Sequence, residues 1–98
     1  MARRLFDRDA KEDLRQIVRY IGIEQMRPET ARRVTAKIYR ECKRYARNPL
    51  LGEQRDDLIA GIRLFTVRPD VVFYHPLADG IRVARVIHRA RDYPALFA

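Results

Sequence analysis

Cysteine is nearly missing from this chain of 98 residues, which contains one, Cys42. An internal disulfide is thereby excluded. Because Cys42 falls within a helical pattern, it reads as a small buried apolar residue in a reducing, cytoplasmic protein. Histidine is almost as scarce, His75 and His88 being its two instances. Two histidines and one cysteine on separate elements do not supply the closely spaced ligands of a structural zinc site, so no metal and no cofactor are implied. Long apolar runs are lacking as well. None approaches membrane-spanning length, and the opening Met-Ala-Arg-Arg-Leu-Phe-Asp has no apolar stretch of the secretory kind, so no membrane partner is expected. Lysine is the last scarcity, with three lysines beside eighteen arginines.

What is present in excess is positive charge, a formal +8 at pH 7. Since it is carried mainly by planar, many-donor guanidinium groups, it suits phosphates and carboxylates, and an anionic partner is the expectation. A merely solvated charged face is the competing reading. Charge alone also permits weak, salt-sensitive contact with nucleic acid, but nothing specific. With 47% apolar and 35% charged residues the composition is that of a folded protein, and the length suits one domain, residues 1–98, around one core.

The order of elements follows from periodicity. Residues 3–6, Arg-Arg-Leu-Phe, read as a short strand, and Asp7 as a helix N-cap whose carboxylate accepts from free amides of the first turn. Ala10, Leu14, Ile17 and Ile21 then fall on one helical face, giving an amphipathic helix that ends near Gly22 to Glu24. Pro28 restarts the chain at a helix N-terminus. Ala31, Val34, Ile38, Cys42 and Tyr45 repeat at helical spacing until Asn48-Pro49 stops the run. Gly52 opens a polar connection to Leu58. Three strands follow, 62–67, 71–75 and 81–88, parted by Arg68-Pro69-Asp70 and by Pro76 to Gly80. Connections this short imply an antiparallel meander. Val71-Val72-Phe73-Tyr74 has no polar alternation, so the middle strand is expected to be covered on both faces. The fold class is therefore α+β, in the order β-α-α-β-β-β, with an antiparallel sheet packed against a two-helix hairpin.

Several stretches, in this order, resemble the ParE branch of the ParE/RelE toxin superfamily of bacterial toxin-antitoxin systems. They are Ala10-Lys-Glu-Asp13-Leu14 with Ile17 and Tyr20, Asn48-Pro49-Leu-Leu-Gly52, Asp57-Leu58 with Gly61-Ile62-Arg63, Val72-Phe73-Tyr74-His75, and Arg85-Val86-Ile87-His88-Arg-Ala-Arg91-Asp92. The resemblance implies a toxin that inhibits DNA gyrase by stoichiometric binding rather than catalysis. It also implies neutralisation by a ParD-like antitoxin whose segment, acidic or amphipathic, folds on the toxin surface in a hetero-oligomer. The RelE branch implies instead cleavage of messenger RNA in the ribosome, which needs proton carriers and cations converging on one phosphate. Where RelE-like members place an arginine on the middle strand this chain has Val71, and Asp70 beside it has the wrong charge. His88, Arg91 and Tyr93 are the residues such an activity would use. A non-toxic member acting only in an antitoxin-bound repressor complex is the third possibility.

Arg85, by strict alternation, shares a face with Ile81, Val83 and Ile87; buried there it needs an acid, and an ion pair with Asp13 or Asp57 is set against direct contact with the target. His88 then lies on the opposite face with Arg82, Ala84 and Val86, where bonding to a backbone group is set against a catalytic role. His75, before Pro76, is expected to face solvent. Arg89, Arg91, Asp92 and Tyr93 are the candidates for target contact, against a locally paired solvated tail. Leu96 and Phe97 are expected to pack down. Val18, Tyr20, Tyr39 and Phe65 are the candidates for antitoxin contact.

Overall fold

The computed structural model describes residues 2–88 and 93–97. Its elements are β1 (Arg3–Phe6), α1 (Arg8–Val18), α2 (Pro28–Arg47), β2 (Glu53–Gln54), β3 (Arg63–Val67), β4 (Asp70–Leu77), β5 (Gly80–His88) and a short α3 (Tyr93–Leu96). The five strands form one sheet in the order β1-β5-β4-β3-β2. Strands β2 to β5 pair antiparallel in succession, whereas β1 pairs parallel to β5, with Arg3 opposite Gly80 and Phe6 opposite Val83. The sheet is thus mostly rather than wholly antiparallel. β2, two residues inside the stretch that reads as a polar connection, pairs with Arg63 and Leu64 and adds a short edge. Gly80 is required where β1 crosses, because a Cβ there would overlap the Arg3 backbone.

Helices α1 and α2 cover one face of the sheet. Ala10, Leu14 and Ile17 from the first, Ile21 just beyond its end, and Ala31, Ile38, Cys42 and Ala46 from the second, meet Phe65, Val67, Val72, Tyr74, Ile81, Val83 and Val86. The spacing of the apolar residues is what puts these groups on one side of each helix. Burial pushes the Cys42 thiol up to about 12. On the other face Ile62, Leu64, Phe73 and Ile87 form a smaller cluster closed by Leu58, Val71, Ala84 and Phe97. Phe97 sits 4.9 Å from Phe73, ring centroid to ring centroid, while Leu96 stays exposed. The middle strand β4 is therefore covered on both sides, as its unbroken apolar run implies.

Three local readings change. Asp7 does stand at the N-cap of α1, but its carboxylate makes no capping bond and pairs instead with Arg82. The second hairpin turn shrinks to Ala78 and Asp79, because β4 continues through His75, Pro76 and Leu77. Proline is tolerated there since β3 ends opposite Tyr74, leaving β4 paired on one side only. His75 is consequently half-buried rather than solvent-facing, and burial holds its imidazole below the ordinary value.

The third concerns the alternation of β5. Phe73 faces Arg85 across the ladder but Tyr74 faces Val83, so Ala84 is an extra residue, a β-bulge. Beyond it the sides exchange. Val83 and Val86 both join the helix-side core, and Ala84 and Ile87 the other. Arg85 does not belong to an unbroken stripe with Ile81, Val83 and Ile87, and His88 belongs to the helix side with Val86.

The end of α1 widens into a π-helical segment, Arg19–Glu24, in which the Gln25 amide donates to the Tyr20 carbonyl at 2.9 Å. Met26, at a φ of 55°, turns the chain toward α2.

Candidate functional site

Two concave regions flank α1, and each follows from what the sheet leaves uncovered. β1 ends at Phe6, so the edge of β5 beyond Val83 has no strand partner and its amides need another acceptor. α1 runs across this edge and supplies Asp13. Its Oδ2 accepts from the Val86 amide at 2.9 Å, and its two oxygens take the Arg85 guanidinium in a fork, Nε to Oδ2 at 2.8 Å and NH2 to Oδ1 at 2.9 Å. Hydrogen bonding to Asp13 holds the Arg85 pKa above its ordinary value. Asp57, the other acid considered for Arg85, bonds Arg55 at 2.8 and 2.9 Å.

Two residue pairs beyond Val86, Asp70 stands opposite His88. Asp70 is fully buried, its Oδ1 lies 2.6 Å from His88 Nδ1, and Oδ2 has no hydrogen-bond partner among the described residues. Burial pushes the Asp70 carboxyl above the usual carboxylate range, with His88 pulling the other way. The imidazole lies under Tyr20, whose ring meets it edge to face at 5.8 Å. His88 is thus not an isolated histidine bonded to backbone: it has an acid, Asp70, which reads from sequence as part of the break between two strands. Asp13, Arg19, Tyr20, Glu24, Arg85 and His88 are among the groups lining a cavity of about 700 Å³ here. Its chemistry is balanced rather than cationic, because the Arg85 guanidinium is already engaged by a carboxylate and Glu24 stands on the same wall.

The second region is a groove of about 630 Å³ between α1, the π-helical segment and α2, with Phe6, Leu14, Val18, Ile23 and Tyr39 as its apolar groups. Lys11 and Arg15 of α1 and Arg19 just beyond it, four residues apart, add cations to the same lining, Arg15 meeting Glu12 at 3.1 Å. Val18, Ile23 and Tyr39 are exposed, and Tyr39 is held by an edge contact with Phe6 at 5.4 Å. An apolar floor with a basic border is what an amphipathic acidic segment requires.

The antitoxin candidates therefore separate. Val18 and Tyr39 line the groove together. Tyr20 is exposed but turns to His88 and the other cavity. Phe65 is buried, stacked on Tyr45 at 4.0 Å between the helices and the sheet, and has no surface to offer a partner. An aromatic residue on a strand gives no sequence signal of which face it takes until register is known. Ile23 was missed, and its place in the groove follows from the π-helical segment. Of the target-contact candidates, Arg89, Arg91 and Asp92 lie outside the described residues, and Tyr93 opens α3.

The sequence model of the family described as the ParE toxin of the type II toxin-antitoxin system, parDE, matches residues 5–93. A comparison with curated proteins returns no match. Among solved structures, a chain of the chromosomal ParDE TA system from P. aeruginosa is similar, with a TM-score of 0.72 and 22% sequence identity over 92% of this chain and 98% of that one. At that identity the likeness is one of fold.

Proposed function

Because the chain belongs to the ParE toxin family of type II toxin-antitoxin systems, we propose that it arrests DNA gyrase by stoichiometric protein binding and is held silent by a ParD-like antitoxin. The observation that carries this reading is the family match over nearly the whole chain. The groove between the helices adds to it, since its exposed Val18, Ile23 and Tyr39 beside Lys11, Arg15 and Arg19 fit the amphipathic acidic segment of an antitoxin. Contact with gyrase is assigned to Arg89, Arg91, Asp92 and Tyr93. In this reading the mechanism is binding rather than turnover, in keeping with the family match, and the Arg85 fork is already occupied by Asp13.

Antitoxin-free protein tests the reading. Supercoiling by gyrase should stop at near-stoichiometric toxin while messenger RNA on translating ribosomes stays intact, and Arg89→Ala with Arg91→Ala should restore supercoiling. Cut message with normal supercoiling would replace this reading with ribosome-dependent RNA cleavage. For the groove, Tyr39→Ala is expected to weaken antitoxin binding by about 2 kcal/mol, roughly thirtyfold, as for a central aromatic anchor. Calorimetric titration measures it, and an unchanged Kd would move the antitoxin elsewhere.

A further inference from the structure

The outer face of α2 carries Arg33, Lys37, Arg40, Lys43, Arg44 and Arg47, all exposed. Arg33, Lys37, Arg40, Arg44 and Arg47 step by four, three, four and three residues, so they form one row, on the side of the helix away from the buried Ala31, Ile38 and Cys42. At 1.5 Å per residue the row is roughly 21 Å long. Acids are sparse along it. Among the described residues Arg44 meets Glu41 at 3.4 Å and Arg33 reaches the Thr30 hydroxyl at 3.3 Å, while Lys37, Arg40, Lys43 and Arg47 make no ion pair. Elsewhere the same protein places Glu beside Arg on its helices, as in Glu12 with Arg15 and Glu29 with Arg32. Arg44 and Arg47 in the last turn favour the helix dipole, but like charges three and four apart cost a helix stability, so Arg33, Lys37 and Arg40 are not placed for holding α2 together.

We propose that this row seats along the phosphate backbone of a nucleic-acid duplex. The choice of a polyanion over an acidic protein rests on what the face lacks. A protein interface draws its affinity from a desolvated apolar or aromatic centre, and between Arg33 and Arg47 this outward row offers none; the exposed aromatic of α2, Tyr39, belongs to the groove on another side. A duplex needs no such centre. It presents about one charge per 1.7 Å of axis, and binding is driven by release of condensed counterions, which long cationic side chains achieve without fixed geometry. The contact reads no sequence, and it stands whether or not gyrase is the target.

The test is binding of a fluorescent 20-base-pair DNA duplex of arbitrary sequence, followed by anisotropy between 50 and 200 mM salt. With about five phosphates neutralised, the slope of log K against log salt should be about −4.5, a loss of roughly 500-fold across that range. The variant combining Lys37→Gln, Arg40→Gln and Arg44→Gln should reduce the slope to about −1.8, leaving a loss of roughly tenfold. These side chains point to solvent, so circular dichroism should show an unchanged fold. A control of equal charge change, Arg4→Gln, Arg8→Gln and Arg68→Gln, should keep the steep slope. Equal slopes for the wild type and the α2 variant, or an equal loss in the control, would overturn the proposal. Polyglutamate displacing the duplex as well as DNA does, charge for charge, would overturn it in favour of an acidic protein.

Discussion

Asp70 brings a carboxylate into a core otherwise built of apolar groups, and one of its oxygens has no hydrogen-bond partner among the described residues. Desolvation disfavours the charged form, and the single contact to His88 Nδ1 opposes it. Since the folded pKa is raised, the folded state holds more protons than the unfolded state between the ordinary value and the raised one. Stability from this group is therefore present at acid pH and lost as pH rises through that window. His88→Ala removes the partner that Oδ1 has among the described residues, and the loss expected at neutral pH is about 3 kcal/mol, the cost of a buried charge left alone. The loss should shrink as pH is lowered into the window, because a protonated carboxyl is far less costly to bury. Adding Asp70→Asn to His88→Ala should recover much of the neutral-pH deficit. Urea midpoints at two pH values decide the matter, and a deficit equal at both would show that Asp70 is not the cause.

At the scale of elements, the legible part of this chain is that which obeys a period. Both long helices and the three-strand meander were open to reading, since Ala10, Leu14, Ile17 and Ile21, or Ala31, Ile38 and Cys42, state their own faces. What breaks period was not. Counting back from the two-residue turn at Ala78 and Asp79 pairs Asp70 with Ile87, and only the extra residue at Ala84 shifts the partner to His88. The site at the end of β5 thus depends on a bulge for which the sequence carries no marker. Several stretches that carry the family resemblance turn out to be latches between elements. The Tyr74 hydroxyl accepts from the Gly52 amide at 2.9 Å and donates to the Pro49 carbonyl at 2.7 Å, and Arg63 donates to the carbonyls of Leu50 and Gly52 at 2.9 Å each. A Cβ at Gly52 would overlap that hydroxyl. Gly52→Ala is accordingly expected to cost about 2–3 kcal/mol, by displacing the ring and breaking one buried and one part-buried hydrogen bond. In a Tyr74→Phe background the same change should cost less, since the two hydrogen bonds are already gone. Strict additivity in chemical denaturation would mean that the loop does not lean on Tyr74.

For the molecule as a whole, eight net positive charges on a body of 13.2 Å radius of gyration repel one another, and the row on α2 concentrates that repulsion. The combined Lys37→Gln, Arg40→Gln, Arg44→Gln variant relieves like-charge neighbours at three and four residues, gives up the contact of Arg44 with Glu41, and leaves helix propensity almost unchanged. Each relieved pair is worth a few tenths of a kcal/mol, so a net gain of up to about 1 kcal/mol is expected at low ionic strength. For a chain of this length that is a rise in Tm of roughly 4–8 °C. The gain should fade as salt is added, because at about 0.15 M the Debye length falls to roughly 8 Å and exposed charges are screened from one another. Calorimetric scans at 20 and 200 mM salt measure both effects. A variant no more stable than the wild type at low salt would mean that the row costs the fold nothing, and would remove the argument that these cations are kept for a partner rather than for the helix.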